Sequence, residues 1–210
     1  MSHHVSHTFR SLSLQIAAFA LTVGYLLWSL SAGSVTAGQS HEKTFKQRDV
    51  NTKDPVKIVS LAAANKPVKL DESFDGGDNW LRDTQLRLRN VSNKEIIYIE
   101  FQFNFPETKS SGNEMSFRAE RGNMPGLPVA NPPLVFKPGE DISFSFSDEE
   151  YQGLVQFVGA RTKITNLNKA DLKIGFVVFS DSTAWGTGLW FKPNPNRKGS
   201  WIPDANQPQK

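Results

Sequence analysis

The chain has 210 residues, 38% of them hydrophobic, a length and composition that fit one globular domain with extensions. Its 24 basic and 21 acidic side chains give a net charge of +3, with no Lys/Arg run of the kind that reads as a nucleic-acid surface. There is no cysteine, and all four histidines (His3, His4, His7 and His41) precede the body of the chain. A disulfide framework, Cys/His zinc sites and His-dependent nucleophiles are therefore excluded from that body.

The run Leu12–Leu30 is dominated by apolar residues, stands behind Arg10 and gives way to the small residues of 31–38. Val35 and Ala37 suit a cleavage site after Ala37, so 1–37 reads as a signal peptide. The alternative is an uncleaved membrane anchor, because the run approaches the roughly 20 residues that cross a bilayer. Both readings place the remainder outside the cytoplasm: periplasmic, secreted or at the cell surface. His3, His4 and His7 then belong to the signal's polar start. The polar stretch 38–55 reads as a flexible linker.

From Val56 onward strand signals dominate, starting with weak ones at Val56–Leu61 and Val68–Leu70. An acidic, Gly-containing segment follows. Asp71, Asp75 and Asp78 are candidate calcium ligands, since hard cations take several carboxylate and carbonyl oxygens and Gly76 and Gly77 permit a tight loop. The spacing is not that of an EF-hand, and Asp and Gly also favour plain solvated turns. Leu86 and Leu88 alternate with Arg87 and Arg89. Ile97, Ile99, Phe101, Phe103 and Phe105 then alternate with Tyr98, Glu100, Gln102 and Asn104, which gives one dry and one wet face. The turn chemistry of 90–94 predicts a β-hairpin over 84–105.

Met115–Arg118 is a weaker strand, and the prolines of Gly122–Pro133 demand a loop. Ile142, Phe144 and Phe146 alternate with serines after the turn marker Pro138-Gly139. Ser147 and Glu150 have capping-box spacing, and Tyr151, Leu154, Val155 and Val158 follow at helical spacing, so a short helix is expected over Asp148–Val158. Gly153 weakens that helix by about 1 kcal/mol relative to alanine. A second hairpin is expected over Leu172–Phe191, turning at 180–183. Its return strand carries Trp185, Leu189 and Phe191 on one face and Trp190 on the other. The Pro- and Asn-rich tail 192–210 is expected to wrap the surface or fray.

These elements describe an all-β protein: an antiparallel β-sandwich over 56–191 with one short helix, preceded by a hydrophobic signal or anchor helix. The stretches LRLRNVSNKEIIYIEFQFNF and FVVFSDSTAWGTGLWFKPNP resemble strand pairs of immunoglobulin-like or fibronectin type III-like modules in exported bacterial proteins. That resemblance implies an architecture and no catalytic motif, and such sandwiches host many unrelated functions.

The chemistry left to the domain is carboxylate and aromatic. Glu95, Glu100, Glu107, Glu114, Asp148 and Glu149 supply acids that a glycosidase would need in a pair, and the sequence does not pair them. Trp80 and Trp190 are candidate ligand-binding aromatics, Trp185 has the phase of the core, and Trp201 suits pinning of the tail. The leading expectation is a non-enzymatic binding or structural module without a cofactor other than possible calcium. It would engage a protein or glycan partner through loops 71–83 and 106–133 and the aromatic C-terminal hairpin. The membrane is involved only through an uncleaved N-terminal segment. The rivals are a carbohydrate-active enzyme using paired carboxylates and an envelope assembly component that pairs a strand edge with its partner.

Overall fold

The computed structural model describes residues 41–48, 53–162, 164 and 166–206, so the signal or anchor reading of 1–37 lies outside the described residues. Residues 38–210 form one compact unit. Its strands are β1 (His41–Gln47), β2 (Val56–Ala63), β3 (Lys66–Val68), β4 (Ser73–Gly76), β5 (Gln85–Asn90) and β6 (Ile96–Phe105). They continue as β7 (Met115–Gly122), β8 (Asp141–Ser145), β9 (Lys169–Phe179), β10 (Ala184–Gly186), β11 (Leu189–Pro193) and β12 (Trp201–Pro203). One 3-10 turn, Pro106–Ser111, and one helix, α1 (Asp148–Gly159), complete the described elements.

Two sheets result. The smaller runs β3-β2-β5-β8, antiparallel throughout. The larger has β9 at its centre. One side of β9 pairs along its length with β6, which pairs with β7. The other side is shared by β1 at Lys169–Leu172 and β10 at Phe176–Val178. β4 extends the sheet beyond β1, and β11 and β12 extend it beyond β10. The expected all-antiparallel pattern has one exception, since β1 runs parallel to β9.

The core between the sheets is aromatic. Ile99, Phe101, Phe103 and Phe105 of β6 are fully buried, as are Leu86 and Leu88 of β5. Across the gap the Phe101 and Phe144 rings lie 4.6 Å apart, and those of Phe103 and Phe146 4.8 Å apart. The helix begins where its capping box sets it: Glu150 N donates to Ser147 Oγ at 3.1 Å, and Ser147 N donates back to Glu150 Oε2 at 2.8 Å. It carries the chain from β8 in one sheet to β9 in the other, burying Tyr151, Leu154 and Val158.

Several expectations need correction. The segment 84–105 is not a hairpin, because β5 and β6 belong to different sheets. Residues 90–94 are a crossing built around the buried Asn90, whose Nδ2 donates to Lys94 O and Phe136 O, both at 2.8 Å. Local turn chemistry is the same for a hairpin and for such a crossing. The stretch 38–55 is not simply a linker either, since it supplies β1, with Lys43 and Phe45 fully buried on one face. A single Phe among charges hid that strand. Within 106–133, the 3-10 turn and the eight-residue β7, which lengthens the weak strand expected at Met115–Arg118, take half of the expected loop. The tail 192–210 contributes β12, which extends the domain past 191.

The return strand of the second hairpin is also two strands. Thr187 and Gly188 turn with φ of 51° and 85°, and Trp185 and Trp190 become register partners on the same face rather than opposite ones. Finally, the wet face of β6 is partly covered. Tyr98 is buried with Val178 and Ala184, and Met124, Phe176, Phe191 and Trp201 pack over them as a second, smaller core.

Candidate functional site

An apolar, half-open cavity lies between α1 and the turn that precedes β5. That turn winds tightly: Trp80 N, Arg82 N and Thr84 N donate to Gly77 O, Asn79 O and Leu81 O. The winding drives Trp80 and Leu81 inward to 1% and 3% exposure. The Trp80 indole stands edge-on to Phe45, with centroids 4.7 Å apart, and its Nε1 donates to Leu167 O at 2.8 Å. Opposite it, α1 presents Leu154, Val155 and Val158. A cavity of 270 Å³ remains between the two walls, with Leu167 also in its lining and Asp78, Tyr151 and Thr162 as its polar groups.

Charged and polar bonds fix the floor. Lys43 on β1 is fully buried, and its Nζ donates to Asn168 Oδ1 at 2.7 Å and to Leu167 O at 3.3 Å. Burial lowers the pKa of this ammonium, against the opposing charges of Asp78 and Glu107. Glu107 Oε2 accepts from the backbone N–H of Asn168 at 2.7 Å and of Lys169 at 3.1 Å. At the polar groups, the Tyr151 hydroxyl donates to Asn79 Oδ1 at 2.9 Å, and burial raises its pKa, so it stays protonated and keeps lone pairs to accept a further bond.

The three calcium candidates are not brought together. Asp71 lines an open polar groove of 530 Å³ with Glu42, Ser73 and Asp171, Asp75 sits on β4 opposite Glu42, and Asp78 lines the apolar cavity. Among the described residues no group of three His, Asp or Glu side chains is placed to hold a metal ion. Trp80 is not an exposed aromatic, because the turn buries it as a cavity wall. Trp190 is half-buried and stacks on Phe179, with centroids 5.4 Å apart, while Lys94 Nζ lies 5.8 Å from its ring. It is therefore largely a packing residue, because the 187–188 turn resets its phase.

The carboxylates serve structural partners. Glu114 is held by Arg48 and Lys109, at 2.6 Å and 2.9 Å, and the Lys109 and Arg48 bonds keep its pKa below the ordinary carboxylate range. Asp148 pairs with Arg82 at 2.7 Å. The juxtaposition that sequence reasoning missed is Glu100 opposite Glu120 on neighbouring strands, with Arg118 3.7 Å from Glu100. Burial pushes the Glu100 carboxyl pKa up, and the Glu120 charge pushes the same way against Arg118. Gly175 makes room for it, since a Cβ there would lie 2.5 Å from Glu100 Oε1. The only sequence signal for this pair was the wet-face phase of Glu100, which names no partner strand.

No protein-family model, curated protein or solved structure matches the chain.

Proposed function

We propose that this chain is an exported, non-enzymatic binding module on an immunoglobulin-like scaffold, with the cavity beneath α1 as its ligand site. The strand order supports the scaffold. β2-β5-β8 against β7-β6-β9-β10 follows the A-B-E and C′-C-F-G order of such sandwiches, with β1, β3, β4, β11 and β12 as additions.

The observation that carries the binding reading is the unfilled apolar space against Trp80, Leu154 and Val158. The space is a half-open cleft with a mainly apolar lining and a few polar groups, the form that small-molecule sites commonly take. An apolar cavity of about 150 Å³ accepts benzene. The 270 Å³ here therefore fits a single-ring aromatic or a branched aliphatic group, with a polar end against Asp78 and the Tyr151 hydroxyl. The apolar lining suits such a guest better than a glycan.

Two features weigh against the rival readings. Glu107, Glu114 and Asp148 are engaged by cations or by backbone N–H groups, and Glu100, the mostly buried member of the Glu100–Glu120 pair, lies 3.7 Å from Arg118. Three of the five sheet edges among the described strands are poor templates for a partner strand: β3 and β12 have three residues each and contain Pro67 and Pro203, while β7 carries Arg118, Glu120 and Arg121.

The test is a titration of small aromatic and branched aliphatic compounds, followed by Trp fluorescence and by the methyl resonances of Leu154, Val155 and Val158. Binding should shift those methyls, and Val155→Trp at the cavity wall should abolish the shift. A panel that leaves all three methyls unmoved would refute the site.

A further inference from the structure

A second surface stands apart from the cavity and is built from two tight turns. The first belongs to the loop after β7. Asn123 organises it: Oδ1 accepts from Ala130 N at 3.0 Å and Asn131 N at 2.9 Å, and Nδ2 donates to Asn131 O at 2.6 Å. Asn131 Nδ2 closes back on Gly122 O at 3.2 Å, and Pro125, Pro128, Pro132 and Pro133 stiffen the rest. This braced loop nevertheless exposes Leu127 at 55% and Val129 at 81%, the highest value among the exposed large apolar side chains described. A lone exposed apolar side chain is ordinary, but this loop, held in shape, presents two within three residues.

The second turn is Asn194–Ser200, closed by Asn194 N to Ser200 O at 2.9 Å and by Ser200 Oγ to Arg197 O at 2.8 Å. It exposes Arg197 and Lys198. Two glycines with positive φ lock the turns together, at 84° for Gly126 and 71° for Gly199. A Cβ on Gly126 would lie 2.7 Å from Gly199 Cα, so only glycine permits this approach. The apolar tip therefore has two cations beside it. On its other flank Glu150 is neutralised by Arg121 at 2.7 Å, and Glu149 is the exposed acid.

We propose that the joined turns 124–129 and 194–200 dock on an anionic phospholipid bilayer. Leu127 and Val129 enter the boundary between headgroups and acyl chains, and Arg197 and Lys198 meet the phosphates. A protein partner fits less well. A stable protein interface takes about 800 Å² from each side, whereas two exposed apolar side chains and two cations form a small footprint. The surface is independent of the cavity, so the failure of either proposal leaves the other standing.

The experiment is co-sedimentation of residues 38–210, which form one compact unit, with vesicles of phosphatidylcholine alone or doped with phosphatidylglycerol. The wild type should bind the doped vesicles and lose binding as salt rises. Leu127→Ser/Val129→Ser should weaken partition at least about tenfold, by removing two buried apolar side chains. Each cation near an anionic surface strengthens binding about fivefold, so Arg197→Glu/Lys198→Glu should lose at least about tenfold and also most of the salt dependence. All four positions are exposed, and unchanged thermal unfolding of the variants checks that the fold survives. Three results would each overturn the proposal: no wild-type binding to doped vesicles, equal binding to both vesicle types, or equal binding by the wild type and Leu127→Ser/Val129→Ser.

Discussion

Leu154→Ala probes the cavity directly. Leu154 is 1% exposed and faces the void on one side and packed core on the other. A buried Leu→Ala change costs about 2–5 kcal/mol, the cost rising with the hole it leaves. On the void side Leu154 has few neighbouring atoms to lose, so the cost here should sit near the lower end, about 2–3 kcal/mol. At about 2–4 °C per kcal/mol for a chain of this size, Tm should fall by roughly 5–10 °C. The enlarged space should then take a small aromatic guest, and a guest present at about 100 times its Kd restores about 2.7 kcal/mol, nearly the whole loss. The assay is thermal unfolding with and without benzene or indole. The cavity-filling Val155→Trp serves as the control, since a blocked cavity should gain nothing from the ligand. Ligand stabilisation of Val155→Trp equal to that of Leu154→Ala would refute the reasoning, as would a Leu154→Ala loss well above the range for a residue bordering a void.

Asn90→Ala should cost about 2–3 kcal/mol in chemical denaturation, because two carbonyls lose a donor each and Ser92 N loses its acceptor. Asn90→Asp should cost more, since it turns the donor pair into a carboxylate oxygen facing Lys94 O and Phe136 O. Arg121 clamps Glu150 through both terminal nitrogens at 2.7 and 3.0 Å, donates to Ser145 O at 2.6 Å and lies 4.2 Å from the Phe144 ring centroid. Arg121→Ala should lower stability by about 2–3 kcal/mol, and Arg121→Lys should recover little of it, because an ammonium cannot reproduce the planar fork. Burial raises the Glu100 pKa, so the folded state holds this proton more tightly than the unfolded one and stability falls as pH rises above the ordinary value of 4.5. Glu100→Gln should therefore raise Tm near neutral pH, with the gain closing below 4.5; an equal gain at both pH values would contradict the assigned cause.

Where a segment had its own period, the sequence revealed its structure. The alternation of β6, the strand at β8 and the capping box of α1 all follow from neighbours within a few residues. Three features depended on distant residues and could not be read locally. β1 has one large apolar side chain, Phe45, and becomes a strand because β9 leaves an edge open at Lys169–Leu172. The crossing at 90–94 becomes a hairpin or a sheet change according to whether Asn90 finds its acceptor across the fold at Phe136, 46 residues away. The phase of Trp190 depends on a turn at Thr187-Gly188 that interrupts a strand too short to show its own break. The candidate site was legible only in its parts. The helical face of Tyr151, Leu154 and Val158 was evident, and Trp80 was singled out, but nothing in the sequence sets one against the other across an unfilled space.

The bonds around that space bear on how it would work. Leu167 O accepts from both Trp80 and Lys43, and Glu107 ties down the next two backbone N–H groups, so the floor is fixed before any ligand arrives. The roof is fixed at one end, where the capping box and Arg121 hold the first turn of α1 through Glu150. At the other end the backbone bonds of Ala160 and Thr162 close the last turn, and Arg161 reaches back to Phe157 O at 3.3 Å from an exposed position. A guest should therefore enter through the open mouth beside Thr162 and the exposed Val155, with the helix held at both ends. A preformed, half-open site demands little ordering on binding, which would suit a cavity too small to gain much affinity from buried area alone.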